Sequence, residues 1–226
     1  PKAKYLWLSS YIRTYIESDT KELANIRNMD KFMNMYRLSM LRSGNIFNQN
    51  ELQKECGLDN KTFSSYFSVL EHSYQIQKLQ PFFKNELKRL VKSPKIFAVD
   101  TGILCHLLRI TSKEEYEVSH YKGDILETFV YAELLKANTY ANNRTALSYY
   151  RTSDKKEIDF ILEFSNGIVA IEVKASKSVS KSDFKHMYHL AKEIPDTFSK
   201  GIVLYNGESF LKIDKDMYAV PFGFLI

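Results

Sequence analysis

None of the eight glycines in this chain of 226 residues is followed by lysine. The chain therefore has no Walker A loop to cradle nucleotide phosphates, and no ATP site is expected in it. It also lacks a Gly-x-Ser-x-Gly elbow and a dinucleotide fingerprint, which removes two further families of mechanism. Cys56 and Cys105 are the only cysteines, without metal-ligand spacing, so reduced thiols in a cytoplasmic protein are expected. No run approaches the ~20 apolar residues of a membrane helix, and no signal peptide opens the chain. No initiator Met precedes Pro1.

What is present is a core-forming composition, 44% hydrophobic and 14% aromatic, with a net charge of +5. The excess charge is uneven: residues 1–120 hold 18 Lys and Arg against 13 Asp and Glu, and residues 121–226 hold 14 against 14. An anionic partner for the first half is the expectation.

The most informative stretch runs from Glu157 to Lys174 and reads as two short strands joined at Asn166-Gly167. A two-residue turn there pairs Ser165 with Ile168, Phe160 with Val173, Leu162 with Ile171 and Phe164 with Val169. Alternation then makes one face wholly apolar and puts Asp159, Ile161, Glu163, Ala170, Glu172 and Lys174 on the other. Asp159 falls opposite Lys174 and diagonal to Glu172. Two carboxylates so placed can hold a hard divalent cation, Mg²⁺ or Mn²⁺. Lys174 can then orient or activate an attacking water, or steady a developing negative charge. A solvent-facing strand pair with one Asp–Lys contact is the plain alternative.

In chain order, residues 4–24 show the spacing of an amphipathic helix whose apolar stripe needs a partner. Asp30 caps a second helix that stops at Gly44. Asn50 caps a short helix ending at Gly57, and Asn60 caps a longer one carrying Phe63, Tyr66, Phe67, Val69 and Leu70. This is the spacing of a helix-turn-helix, with Lys61, Thr62, Ser64, Ser65 and Ser68 on the exposed face, although helix pairs with a Gly turn are common in any helical domain. Strand-like runs at 74–83 and 94–99 follow, so the arrangement is that of a winged helix. The connecting tip holds Lys84, Lys88, Arg89, Lys92 and Lys95 against Glu86, a cluster suited to phosphate contacts or to an acidic protein partner. Asp100 caps a further helix.

Residues 111–122 read as a linker. A long helix from Asp124 to about Asn138 carries Glu127 and Glu133, each a site residue or simply a solvated one. Strands at 147–152, 201–205, 211–213 and 218–220, the last two as edges, and a helix capped by Asp183 complete an α/β layer fold with helices on both faces of a mixed sheet. His186 and His189 stand at i, i+3 with no third ligand at useful spacing, so zinc is not expected.

Gly123-Asp-Ile-Leu-Glu127-Thr-Phe-Val, Tyr150-Arg-Thr, Glu157-Ile-Asp159-Phe and Ile171-Glu172-Val-Lys174-Ala together resemble the PD-(D/E)XK nuclease-like superfamily. With Tyr11–Glu17, Lys88–Lys95 and Asp100–Ile103, the whole chain is similar to the C-terminal region of a group of prokaryotic AAA-type ATPases, a domain of unknown function. The Pro-Asp of the nuclease pattern stands here as Ile158-Asp159. The resemblance implies Glu127, Asp159 and Glu172 as acidic site residues, Asp159 and Glu172 on the metal, and Lys174 as the catalytic lysine. It also implies an ATPase module before this region, against which the first helix packs.

The expected organisation is a linker helix over 1–28, a winged-helix-like domain over 29–112 and a nuclease-like domain over 121–226. The expected function is DNA binding with Mg²⁺-assisted phosphodiester hydrolysis. Two rivals stay open: a catalytically silent module for nucleic-acid recognition, and a protein-interaction region that regulates the ATPase. Expected partners are nucleic acid, DNA before RNA, and the parent ATPase, with no membrane.

Overall fold

The computed structural model describes residues 2–14, 26–82, 93–141 and 145–225. By its contacts the chain divides into two units, residues 1–78 with 95–128, and residues 79–94 with 129–226. No described helix is long and apolar enough to cross a membrane.

The first unit contains helices α1 (Lys2–Tyr11), α2 (Met29–Met40), α3 (Gln49–Glu55) and α4 (Asn60–His72), then strands β1 (Ile76–Leu79) and β2 (Lys95–Ala98), which pair with each other. Helices α5 (Thr101–Leu107) and α6 (Lys113–Val118) and the first turns of α7 (Lys122–Tyr140) complete it. Helix starts follow from side chains that reach the amide three residues on. Asn28, Asn48, Asp59 and Asp100 do so for α2, α3, α4 and α5. The sequence points correctly to Asp100 but to Asp30, Asn50 and Asn60 one or two residues late, because polar residues cluster at each start. At α4 the Asp59 Oδ1 takes the Thr62 N–H at 2.9 Å, while Asn60 accepts from Gln49 instead. Gly57 ends α3 in the left-handed region, φ +59°, where a side chain costs about 1–2 kcal/mol.

The core of this unit is Phe32, Met35, Tyr36, Leu52, Phe63 and Leu70, all almost fully buried, with Leu8 and Ile12 of the N-terminal segment joining it. Leu6 and Trp7, on the same short helix, are exposed. Residues 111–122, expected as a linker, contain the helix α6, started by a capping box in which Ser112 and Glu115 satisfy each other's amides.

The second unit is built on a mixed sheet of β3 (Ala146–Arg151), β4 (Glu157–Phe164), β5 (Gly167–Lys174), β6 (Phe198–Tyr205), β7 (Leu211–Asp214) and β8 (Met217–Pro221), in the order β3-β4-β5-β6-β8-β7. β3, β4 and β5 run antiparallel in turn; β5, β6 and β8 are parallel, and β7 is antiparallel to β8. β8 was expected at an edge and is interior; β7 takes the edge. Helix α8 (Lys185–Glu193) covers one face, where Phe184, Met187 and Leu190 pack with Ile158, Ile161, Ala170, Val203 and Ala219. On the other face Tyr131 of α7 stacks on Phe160, ring centroids 6.3 Å apart. The result is an α/β fold with helices on both faces of the sheet. The segment after β1 also reaches this unit: the Phe82 N–H donates to the Tyr149 carbonyl and the Tyr149 N–H to the Gln80 carbonyl, beside β3.

Candidate functional site

The β4–β5 hairpin forms as expected, but its register differs by two residues. Phe160 pairs with Ile171, Leu162 with Val169 and Phe164 with Gly167. The two turn residues are thus Ser165 and Asn166, not Asn166 and Gly167. Gly167 is required for another reason: its φ is +148°, and a Cβ there would lie 2.7 Å from the Thr197 carbonyl oxygen. A shift of two preserves the faces. Carrying the pairing one step past Phe160–Ile171 puts Asp159 across from Glu172.

A second departure lies on the other side of β4. Against β3, Ser148 pairs with Ile161 but Tyr150 with Ile158, so β4 carries one extra residue at Asp159 and Phe160. This bulge interrupts the alternation, which is why Ile158 and Ile161 share the core under α8 while Phe160 meets Tyr131. The face expected to be polar is therefore largely apolar, with Glu163 near the turn and its other charged groups near the bulge and the C-terminal end of β5.

There the charged groups meet. The Asp159 Oδ2 accepts the Val173 N–H at 2.8 Å, on the backbone between Glu172 and Lys174. The Lys174 Nζ donates to Glu172 Oε1 at 2.8 Å. Burial alone would lower the Lys174 pKa, but attraction to Glu172, their hydrogen bond, and the Asp159 and Asp183 carboxylates outweigh it and hold the ammonium above its ordinary value. Lys174 is thus a cation at neutral pH and not a proton acceptor. From the sequence alone Asp183 reads as a helix cap. It belongs to a Ser180-x-x-Asp183 capping box, accepting the Ser180 N–H at 2.7 Å, and that spacing was the available signal for its position.

The donors offered by Asp159 and Glu172 are hard carboxylate oxygens, the chemistry that suits Mg²⁺ or Mn²⁺. Among the described residues no group of three or more His, Cys, Asp or Glu is arranged around a metal position. His186 and His189 turn to different partners. The first has Nδ1 at 2.7 Å from the Glu157 carbonyl, and the second has Nε2 near Lys156 and Glu193.

Glu127 lies in the first unit, where its Oε1 accepts from Lys95 Nζ at 2.8 Å. This corrects the assignment of Lys95 to an exposed basic tip: it sits inside β2 with its side chain 3% exposed, committed to Glu127. Beside the pair runs a buried chain of hydrogen bonds. The Ala98 N–H donates to Ser43 Oγ at 2.8 Å, the Ser43 hydroxyl lies 2.7 Å from Thr128 Oγ1, and the Thr128 hydroxyl donates to the Asp124 carbonyl at 2.6 Å. Burial raises the Asp124 carboxyl above its ordinary value, with Lys95 pulling the other way. Glu133 pairs with Lys136 on the surface of α7. Lys61 is exposed in the first turn of α4, as are Ser64 and Ser65 further along. Lys84, Lys88, Arg89 and Lys92 lie outside the described residues.

Comparison with known proteins adds the family. A family model described as a domain of unknown function, DUF8612, matches residues 1–114, and a second, the domain of unknown function DUF4143, matches residues 122–225. The chain belongs to the first of these families. Among curated proteins it is similar to the uncharacterized proteins Rv2008c of Mycobacterium tuberculosis and Mb2031c of Mycobacterium bovis. Each is 28% identical over 217 residues, covering 95% of this chain and 47% of the relative. The chain thus spans about half the length of these relatives.

Proposed function

We propose that this member of the DUF8612 family is the nucleic-acid-binding, nuclease-like region of an AAA-type ATPase, with its chemistry at Asp159, Glu172 and Lys174. The observation that carries this reading is the Asp159 carboxylate docked on the Val173 amide, between Glu172 and Lys174. The order of acids and lysine resembles the PD-(D/E)XK pattern, and the parallel strand β5 ends here, an end of the sheet where α/β folds place ligands.

Asp159 and Glu172 would hold Mg²⁺ or Mn²⁺, which supplies Lewis acidity at a scissile phosphate when bound. Lys174, kept protonated by its three acidic neighbours, stabilises negative charge developing on the phosphoryl oxygens and orients a water by donating to it. A general base must therefore be sought elsewhere. Glu127, implied by the resemblance as a supporting acid, is committed to Lys95 and serves first to anchor β2 against α7. The α3–α4 pair with its Gly57 turn, followed by β1 and β2, is read as a winged helix presenting Lys61, Ser64 and Ser65 to DNA.

One observation favours a second reading. Lys174 is engaged by Glu172 in the same strand, as it would be in a silent site kept for recognition or for regulating the ATPase. Melting the protein with and without metal separates the two. A working site gains about 2.7 kcal/mol at a hundredfold excess of Mg²⁺ or Mn²⁺ over its dissociation constant. Asp159→Asn should lose most of that gain. No stabilisation at millimolar metal would leave the silent reading standing.

A further inference from the structure

The far edge of the second sheet carries a surface that the proposed centre does not use. Met217 and Ala219 of β8 point into the core under α8, so Tyr218 between them faces the opposite way. Its cross-strand neighbours are Ile202 on β6 and Lys212 on β7. Above this face stand Phe210, 54% exposed, and Phe224, 69% exposed, their ring centroids 6.4 Å apart. Phe210 also lies 5.8 Å from the Tyr218 ring, and the Lys200 ammonium sits 5.1 Å over that ring.

Phe210 is held out by a braced loop. The Tyr205 hydroxyl donates to the Ser209 carbonyl at 2.6 Å, and the Asn206 N–H to the Ser176 carbonyl at 3.0 Å. Gly207 packs so closely on the Tyr205 ring that a Cβ would lie 2.0 Å from it. An exposed aromatic on a fixed loop presents its face without an ordering cost at the moment of binding.

The charges around these rings select the partner. Lys200 and Lys212 flank them, both exposed. Asp214 is drawn to the α8 side by the Tyr188 hydroxyl at 3.0 Å, and the acids that remain nearby are Glu208 of the adjoining loop and Asp216, whose carbonyl accepts the Gly201 N–H beside Lys200. Flat exposed rings flanked by lysines complement unstacked bases joined by phosphates.

We infer that this face of β6, β8 and β7 binds single-stranded nucleic acid, with bases stacked on Phe210 and Phe224 and phosphates on Lys200 and Lys212. The test is fluorescence anisotropy of a short labelled oligothymidylate across a salt series, in the full chain carrying Asp159→Asn so that cleavage cannot interfere. Replacing Phe210 or Phe224 with Ala should weaken binding by at least about fivefold each. Replacing Lys200 or Lys212 with Ala should flatten the slope of log K against log salt by about 0.7 each. These exposed substitutions should leave the melting temperature unchanged, which checks that the variants fold. Affinity unchanged by both aromatic substitutions would overturn the inference. A concentration-dependent dimer abolished by Phe210→Ala, with strand binding intact, would overturn it in favour of self-association.

Discussion

Removing Glu127 should destabilise the protein more than removing a surface acid such as Glu133. Its partner Lys95 has a side chain 3% exposed, and Glu127 itself is 15% exposed, so the pair at 2.8 Å is shielded from solvent screening. Two charges taken out of water roughly offset their attraction, and a buried pair adds little net stability over an apolar pair of the same shape. Breaking it is different, because the buried Lys95 ammonium then loses the carboxylate it meets at 2.8 Å. Glu127→Ala should therefore cost about 3–5 kcal/mol. With a urea slope of about 2 kcal/mol per molar, the midpoint should fall by roughly 2 M. Lys95→Met should cost less, since Glu127 is the more exposed partner. The double variant Lys95→Met, Glu127→Leu should recover most of the loss, giving a coupling of at least about 2 kcal/mol in the cycle. Urea unfolding followed by far-ultraviolet circular dichroism measures all four proteins. If Glu127→Ala costs under about 0.5 kcal/mol, as for an exposed pair, the ion pair is not the anchor described here.

Three further outcomes follow from particular residues. The Lys174 ammonium, followed by NMR of its Cε, should titrate above the ordinary 10.5, and in Glu172→Gln the loss of the attraction should let burial pull it down. An unmoved value would detach Glu172 from Lys174. Asp124, an acid raised on folding, contributes stability that is present below its ordinary 3.8 and lost as pH rises through the folded value. Asp124→Asn should thus gain on the wild type as pH climbs towards neutrality, and a constant difference in urea midpoint across that range would refute the burial. Gly167→Ala should cost about 1–3 kcal/mol, because the Cβ meets the Thr197 carbonyl and the φ suits only glycine; a melting temperature equal to the wild type would refute that.

Much of this was legible in the sequence, and the failures have physical causes. Alternation along Glu157–Phe164 and Gly167–Lys174 gives the hairpin, and it places Glu172 and Lys174 correctly on one strand. It cannot show the bulge at Asp159 and Phe160, since an extra residue in one strand is defined only by its partner β3. Sequence pattern puts the turn one residue late because Asn-Gly is the strongest short hairpin signal. Here the glycine answers instead to the approach of Thr197, a contact from thirty residues on. Lys95 looked like one more cation in a basic run; only the pairing of β2 with the approach of α7 shows that it is buried. Ser112-x-x-Glu115 spells the capping box of α6, but the high charge of the segment masks that signal and makes it read as a linker.

The central claim is that Asp159, Glu172 and Lys174 form a metal-dependent phosphodiesterase centre. Cleavage of single-stranded, duplex and branched DNA with Mg²⁺ or Mn²⁺ tests it most directly, using wild type, Asp159→Asn and Lys174→Ala, each shown to be folded by its melt. The wild type should cut at least one substrate only with metal present, and both variants should be inactive, with Lys174→Ala still stabilised by the metal. A wild type that cuts none of them with either metal, or a Lys174→Ala that cuts as fast as the wild type, would contradict it.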